Sequence, residues 1–107
     1  MDLHAFARHA VSCVDLTDLS DDASAEQASA LAQRALGLPV LVAALCIWPR
    51  FVAQTHLALQ NTSIKVATVV NFPHGGENRD ATCEEFRALT CATLKPAIAL
   101  VEILTNW

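Results

Sequence analysis

An α/β fold, with about four parallel strands covered by helices, is predicted by three features of the sequence. Apolar runs that suit strands buried on both faces alternate with stretches of helical periodicity. Proline, glycine and polar clusters separate these stretches at short intervals. Polar side chains collect just after each apolar run, where parallel α/β folds carry their chemistry.

The elements follow in order. Asp2 to Val11 reads as a short helix with Leu3, Phe6 and Ala10 inward, and Val11 to Thr17 as a brief strand ending in polar side chains. Ser20 to Ser24 (SDDAS) is a helix-start cluster, and Ser24 with Gln27 has the spacing of a capping box. Ala28, Leu31, Ala32, Ala35 and Leu36 then draw one apolar helix face. Gly37 is expected to take the left-handed conformation that ends this helix, and Pro39 forbids its continuation.

Val40 to Ile47 is apolar throughout, a strand buried on both faces. Pro49 stops it and opens a helix from Arg50 to about Gln60, with Val52, Thr55, His56 and Leu59 on one side. Asn61 to Ser63 is a turn, and the β-branched run Ile64 to Val70 is a third strand. Asn71 to Gly76 is a polar loop, and Asp80 to about Leu94 a helix aligning Cys83, Phe86, Thr90 and Leu94. Ala97 to Leu104 reads as a fourth strand, with a short helix as the alternative. Four strands are half of a (β/α)8 barrel, whose whole chain runs to roughly 250 residues. A small open α/β sandwich has the same pattern, and periodicity alone does not choose between them.

Composition narrows the function classes. At 53% hydrophobic and 17% charged, the chain is too apolar for a disordered tail. A chain of 107 residues hides a smaller share of its surface than a large one, so this apolar content is hard to cover alone, and a partner chain or further sequence would solve that. The formal net charge of −4 gives nucleic acid no electrostatic foothold. The longest apolar run, Leu38 to Trp48, is too short to cross a bilayer, and the N-terminus lacks a signal-peptide pattern. Cys13, Cys46, Cys83 and Cys91 form no C-x-x-C pair and read as buried, reduced thiols of a cytoplasmic protein. His4 and His9 are five apart, off-face for a metal pair, and no P-loop or G-x-G-x-x-G is present.

Three segments carry a resemblance. They are VDLTDLSDD (Val14 to Asp22), ALCIWPRF (Ala44 to Phe51) and IKVATVVNFPHG (Ile64 to Gly75). In order and spacing they resemble the first three strand regions of the deoxyribose-phosphate aldolases. The resemblance implies a (β/α)8 barrel, here its first half as one domain over residues 1–107, and a role in deoxyribonucleotide catabolism. It also implies class I aldol chemistry, the reversible cleavage of 2-deoxy-D-ribose 5-phosphate to acetaldehyde and D-glyceraldehyde 3-phosphate. A lysine Schiff base carries that reaction, with no metal or organic cofactor.

Residue by residue, the resemblance makes Asp15 and Glu102 the catalytic carboxylates of a proton relay. Thr17, Cys46 and Asn71 fall at substrate-binding positions. Glu102, in Val101 to Leu104 (VEIL), stands where the family has an aspartate, without the Gly-Ala-Asp lead-in. Plainer readings stand beside these: Asp15 and Thr17 as caps of a strand-to-helix loop, Cys46 as a small core residue, and His74 as a turn residue. Trp48 and Phe51 read as core or subunit-interface residues.

The family's Schiff-base lysine lies on its sixth strand, with a partner lysine on the seventh. The lysines here, Lys65 and Lys95, fall at a strand start and a helix–strand turn instead. The chain alone is therefore expected to be inactive, taking a sugar phosphate only when completed by a second half. The alternative is a non-catalytic half-barrel that self-assembles or binds a complementing chain, since an apolar sheet with open edges invites pairing.

Overall fold

A computed structural model describes residues 2–92 and 100–103. Four strands, β1 (Asp15–Asp18), β2 (Ala44–Ile47), β3 (Lys65–Val70) and β4 (Leu100–Ile103), form one sheet in the order β1-β2-β3-β4. Every neighbouring pair is parallel. The intervening helices α2 (Ala25–Leu36), α3 (Val52–Ala58) and α4 (Arg79–Ala92) all contribute to one core on one face of the sheet. A doubly wound sandwich reverses its strand order and puts helices on both faces. Strands that advance one place each time, with helices on one side, are wound as in a barrel. The fold is therefore a parallel (β/α) half-barrel, which settles the choice periodicity left open. β4 is a strand, not the alternative helix, and the rest of residues 97–104 lies outside the described residues.

The sheet divides the core in two. On the helix side, Leu45, Ile47, Val66 and Val70 meet Ala28, Ala32 and Ala35 of α2 and Val52 of α3. On the inner face, Ala44, Cys46, Ala67 and Val69 pack with Leu19, Trp48 and Phe72. Thr68 is fully buried, and its hydroxyl donates to the Ile47 carbonyl at 2.8 Å, tying the ends of β2 and β3. The Thr55 hydroxyl is also buried, with no hydrogen-bond partner among the described residues.

The local chemistry of α2 is as the sequence predicts. The Ser24 hydroxyl accepts from the Gln27 amide at 3.2 Å, and the Gln27 side chain accepts from the Ser24 amide at 2.9 Å. Three alanines on its buried face let the helix lie close to the sheet. Gly37, however, is right-handed at φ −85°, not left-handed. Its N–H bonds to the Gln33 and Arg34 carbonyls, and Pro39 ends the helix without a positive φ. The left-handed residues are Asn61 (φ 65°) in the turn before β3, and Asn71 (φ 56°) and Gly75 (φ 60°) after it.

Other expectations are corrected. The first helix, α1 (Leu3–Ser12), runs past Val11, so β1 begins only at Asp15. Leu3, Phe6 and Ala10 do not face inward: none of α1 is buried, and Leu3 is 81% exposed. This helix precedes β1 and lies outside the two layers, where its Ala7 and Val11 line a groove of about 280 Å³ with Leu38, Pro39 and Val40. β2 is shorter than the apolar run, because residues 40–43 lead in from α2 before the ladder begins. Pro49 opens a 3-10 turn (Pro49–Phe51) and only then α3. On α4 Leu89 is buried, whereas Cys83 and Phe86 are exposed and flank a groove of about 270 Å³ with Val70. Leu94 lies outside the described residues. Of the thiols, Cys46 is buried but Cys13 and Cys83 are exposed, so burial is not their common state.

Candidate functional site on the carboxyl face of the sheet

Strand parity decides which side chains share a face. Leu16 packs with the helix-side core, so its neighbours Asp15 and Thr17 belong to the inner face, with Ala44, Cys46, Ala67 and Val69. Register then sets their heights. Thr17, Cys46, Ala67 and Leu100 form one paired row. Asp15 is two residues before that row, and Glu102 is two beyond it, at the register position of Val69. The structure thus brings Thr17 and Cys46 side by side on adjacent strands. Asp15 is partly exposed, Thr17 exposed and Cys46 buried. Lys65 is the first, exposed residue of β3, at the amino end, and Lys95 lies outside the described residues.

Two loops frame this face. In the one after β1, the Asp18 carboxylate accepts from the Ser20 hydroxyl at 2.6 Å and from its amide at 3.1 Å. Those bonds stabilise the charged form and hold the Asp18 carboxyl below its ordinary range. The Thr17 hydroxyl donates to the Asp15 carbonyl at 3.3 Å. In the loop after β3, Asn71 donates its side-chain amide to the Gly76 carbonyl at 2.8 Å, closing the loop on itself. The Gly75 N–H bonds back to the Asn71 carbonyl at 2.8 Å, and the Glu85 carboxylate of α4 accepts from the Asn71 N–H at 3.1 Å. The Phe72–Pro73 peptide is cis, and His74 is exposed. The Asn78 side chain accepts from the Ala81 N–H at 3.0 Å and so starts α4.

Sequence reasoning missed Asp18, Ser20 and Glu85 in these loops. Asp18 and Ser20 have the short spacing of a local side-chain turn, which was a usable signal. Glu85 is fourteen residues from its partner, and nothing local announces it. Trp48, read as core or interface, packs against both core clusters and also bridges the loops. Its indole N–H donates to the Ser20 carbonyl at 2.8 Å, and its ring lies 5.6 Å from that of Phe72.

Among the described residues, no three His, Cys, Asp or Glu side chains converge as a metal ion would require. No helix among them is long and apolar enough to cross a membrane.

No family model matches the chain. Among solved structures, it is similar to the crystal structure of a putative deoxyribose-phosphate aldolase from Coccidioides immitis, with a TM-score of 0.76 at 22% sequence identity. The match covers 90% of this chain and 36% of that one, so the chain spans little more than a third of that protein's length. The likeness is one of fold, and it agrees with the strand order and one-sided helices in assigning the chain to a parallel (β/α) half-barrel.

Proposed function

We propose that the chain is the N-terminal portion of a deoxyribose-phosphate aldolase-like protein. Such a protein reversibly cleaves 2-deoxy-D-ribose 5-phosphate through a lysine Schiff base. The observation that carries the reading is that all three resembling segments leave one parallel sheet at its carboxyl end, in a fold shared with a putative member of that family. Asp15 and Glu102 are the proposed relay carboxylates, with Thr17, Cys46 and Asn71 toward the substrate. Barrel geometry supports pairing the carboxylates. In a barrel of shear 8, level is regained by about one residue per strand, or about three residues from β1 to β4. Asp15 and Glu102 are offset by four, which leaves them about one residue, or ~3.3 Å of rise, apart in height.

The Schiff-base lysine has no counterpart here, so the 107-residue chain alone is proposed to be inactive. The test is borohydride trapping of acetaldehyde with a polypeptide supplying the remaining strands and their lysine. A covalent adduct on that lysine, formed only in the mixture and weakened by Asp15→Asn, is the expected result. An adduct insensitive to Asp15 would remove this residue from the relay.

A second reading, a non-catalytic half-barrel that pairs with another chain or another copy, is favoured by β1. Among the described residues that strand is paired on one side only, and the apolar side chains of α1 are exposed. With another copy as partner, this reading predicts a dimer by sedimentation at high concentration and no trapped adduct; a strict monomer would dismiss self-pairing.

A further inference from the structure

The segment from Trp48 to Gln54, which joins β2 to the first turn of α3, reaches across to the loop after β1 and the start of α2 with three side chains. The Trp48 indole N–H donates to the Ser20 carbonyl at 2.8 Å, and the Arg50 guanidinium to the Ala23 carbonyl at 3.2 Å. The Gln54 side-chain amide donates to the Ala25 carbonyl at 2.8 Å and the Ser29 hydroxyl at 3.3 Å. All of the donors lie on one segment and all of the acceptors on the other, 25 to 29 residues earlier. Arg50 is itself steadied by lying over the Phe51 ring at 4.6 Å and the Trp48 ring at 5.7 Å. Trp48 packs against the core clusters on both faces of the sheet, and its ring leans on Phe72 of the other loop.

We propose that Trp48 is a hub that sets the two loops of the carboxyl face against each other, while Arg50 clasps the first loop and Gln54 the start of the helix that follows it. All three are positioning residues, and calling that face a substrate site rests on the aldolase reading. The indole has two separable contacts, a polar one to the β1–α2 loop and an aromatic one to the β3–α4 loop. A side chain that only stabilised the fold would loosen both loops together.

Amide exchange followed by NMR on the 107-residue chain separates the two roles. The reporters are the amides of Ser20, Ala23 and Ser24 in the first loop, and those of Asn71 and Gly75 in the second. Trp48→Phe keeps a ring and loses the N–H. It is expected to speed exchange of the first set about tenfold, the factor that a bond of about 1.4 kcal/mol represents, and to leave the second within about twofold. Phe72→Leu removes the facing ring and is expected to do the reverse, so the test survives if either variant fails to fold. Equal acceleration of both sets by Trp48→Phe, acceleration of the second alone, or no change in either, would overturn the hub. The exchange result requires no catalysis, so its failure leaves the aldolase reading standing, and failure to trap an adduct leaves the hub standing.

Discussion

β1 and β2 are register partners residue for residue, yet they are built to different ends. Every residue of β2 is buried, whereas β1 has none buried and leaves Thr17 exposed. The backbone ladder is the same; the side chains and the neighbours differ. β2, Ala-Leu-Cys-Ile, lies between two strands, while β1, Asp-Leu-Thr-Asp, has one partner among the described residues. Polar residues on a half-covered strand contribute little to the core, so Asp15, Thr17 and Asp18 are available for chemistry and loop building. Neighbouring strands of one sheet thus divide the buried core and the exposed polar positions between them.

The sharpest way to break that division is a matched pair of truncations. Leu45 is fully buried, and Leu45→Ala is expected to cost about 2–5 kcal/mol in a urea melt. Its partner Leu16 is only partly buried, and Leu16→Ala should cost about half as much. Equal losses would mean that β1 carries core after all.

The next effect concerns α2, which covers both strands. Removing its capping hydroxyl with Ser24→Ala should cost about 1 kcal/mol by the same melt. A gain of at most about 1 kcal/mol is expected from Thr55→Val, because the buried hydroxyl has no partner among the described residues and its removal ends a desolvation penalty. A destabilised Thr55→Val would show that the hydroxyl is bonded in solution.

The smallest effect is acid dependence at the end of β1. The Ser20 bonds lower the Asp18 pKa in the folded state, so their stabilisation is complete above the unfolded value of about 3.9. It is lost as pH falls through the lower folded value. Asp18→Asn should remove that part of the acid dependence, read as urea midpoints between about pH 6 and pH 2. Identical profiles for the two proteins would show that Asp18 contributes none of it.

Much of this fold was legible in the sequence. The Ser24–Gln27 box and the buried runs of β2 and β3 are set by neighbours within a few residues, and the pattern states them directly. The face of α1 was legible as amphipathic, but a pattern says which side is apolar and not whether anything covers it. The burial of Leu89 rather than Phe86 depends on how α4 leans on the sheet, which its periodicity does not encode. For the proposed site, segment resemblance singled out Asp15, Thr17, Cys46 and Asn71; the fold puts the first three on the inner face of the sheet, Asp15 at the start of β1 rather than its end, and Asn71 in the loop after β3. The links that hold the loops, Trp48 to Ser20 and Glu85 to Asn71, join residues distant in sequence and had no local signature.

The most direct test of the proposed function is cleavage of 2-deoxy-D-ribose 5-phosphate by this chain mixed with a polypeptide that supplies the remaining strands and the Schiff-base lysine. Acetaldehyde is expected from the mixture and from neither part alone. Cleavage by the 107-residue chain by itself would contradict its proposed inactivity, and a folded, assembled mixture with none would contradict the assignment.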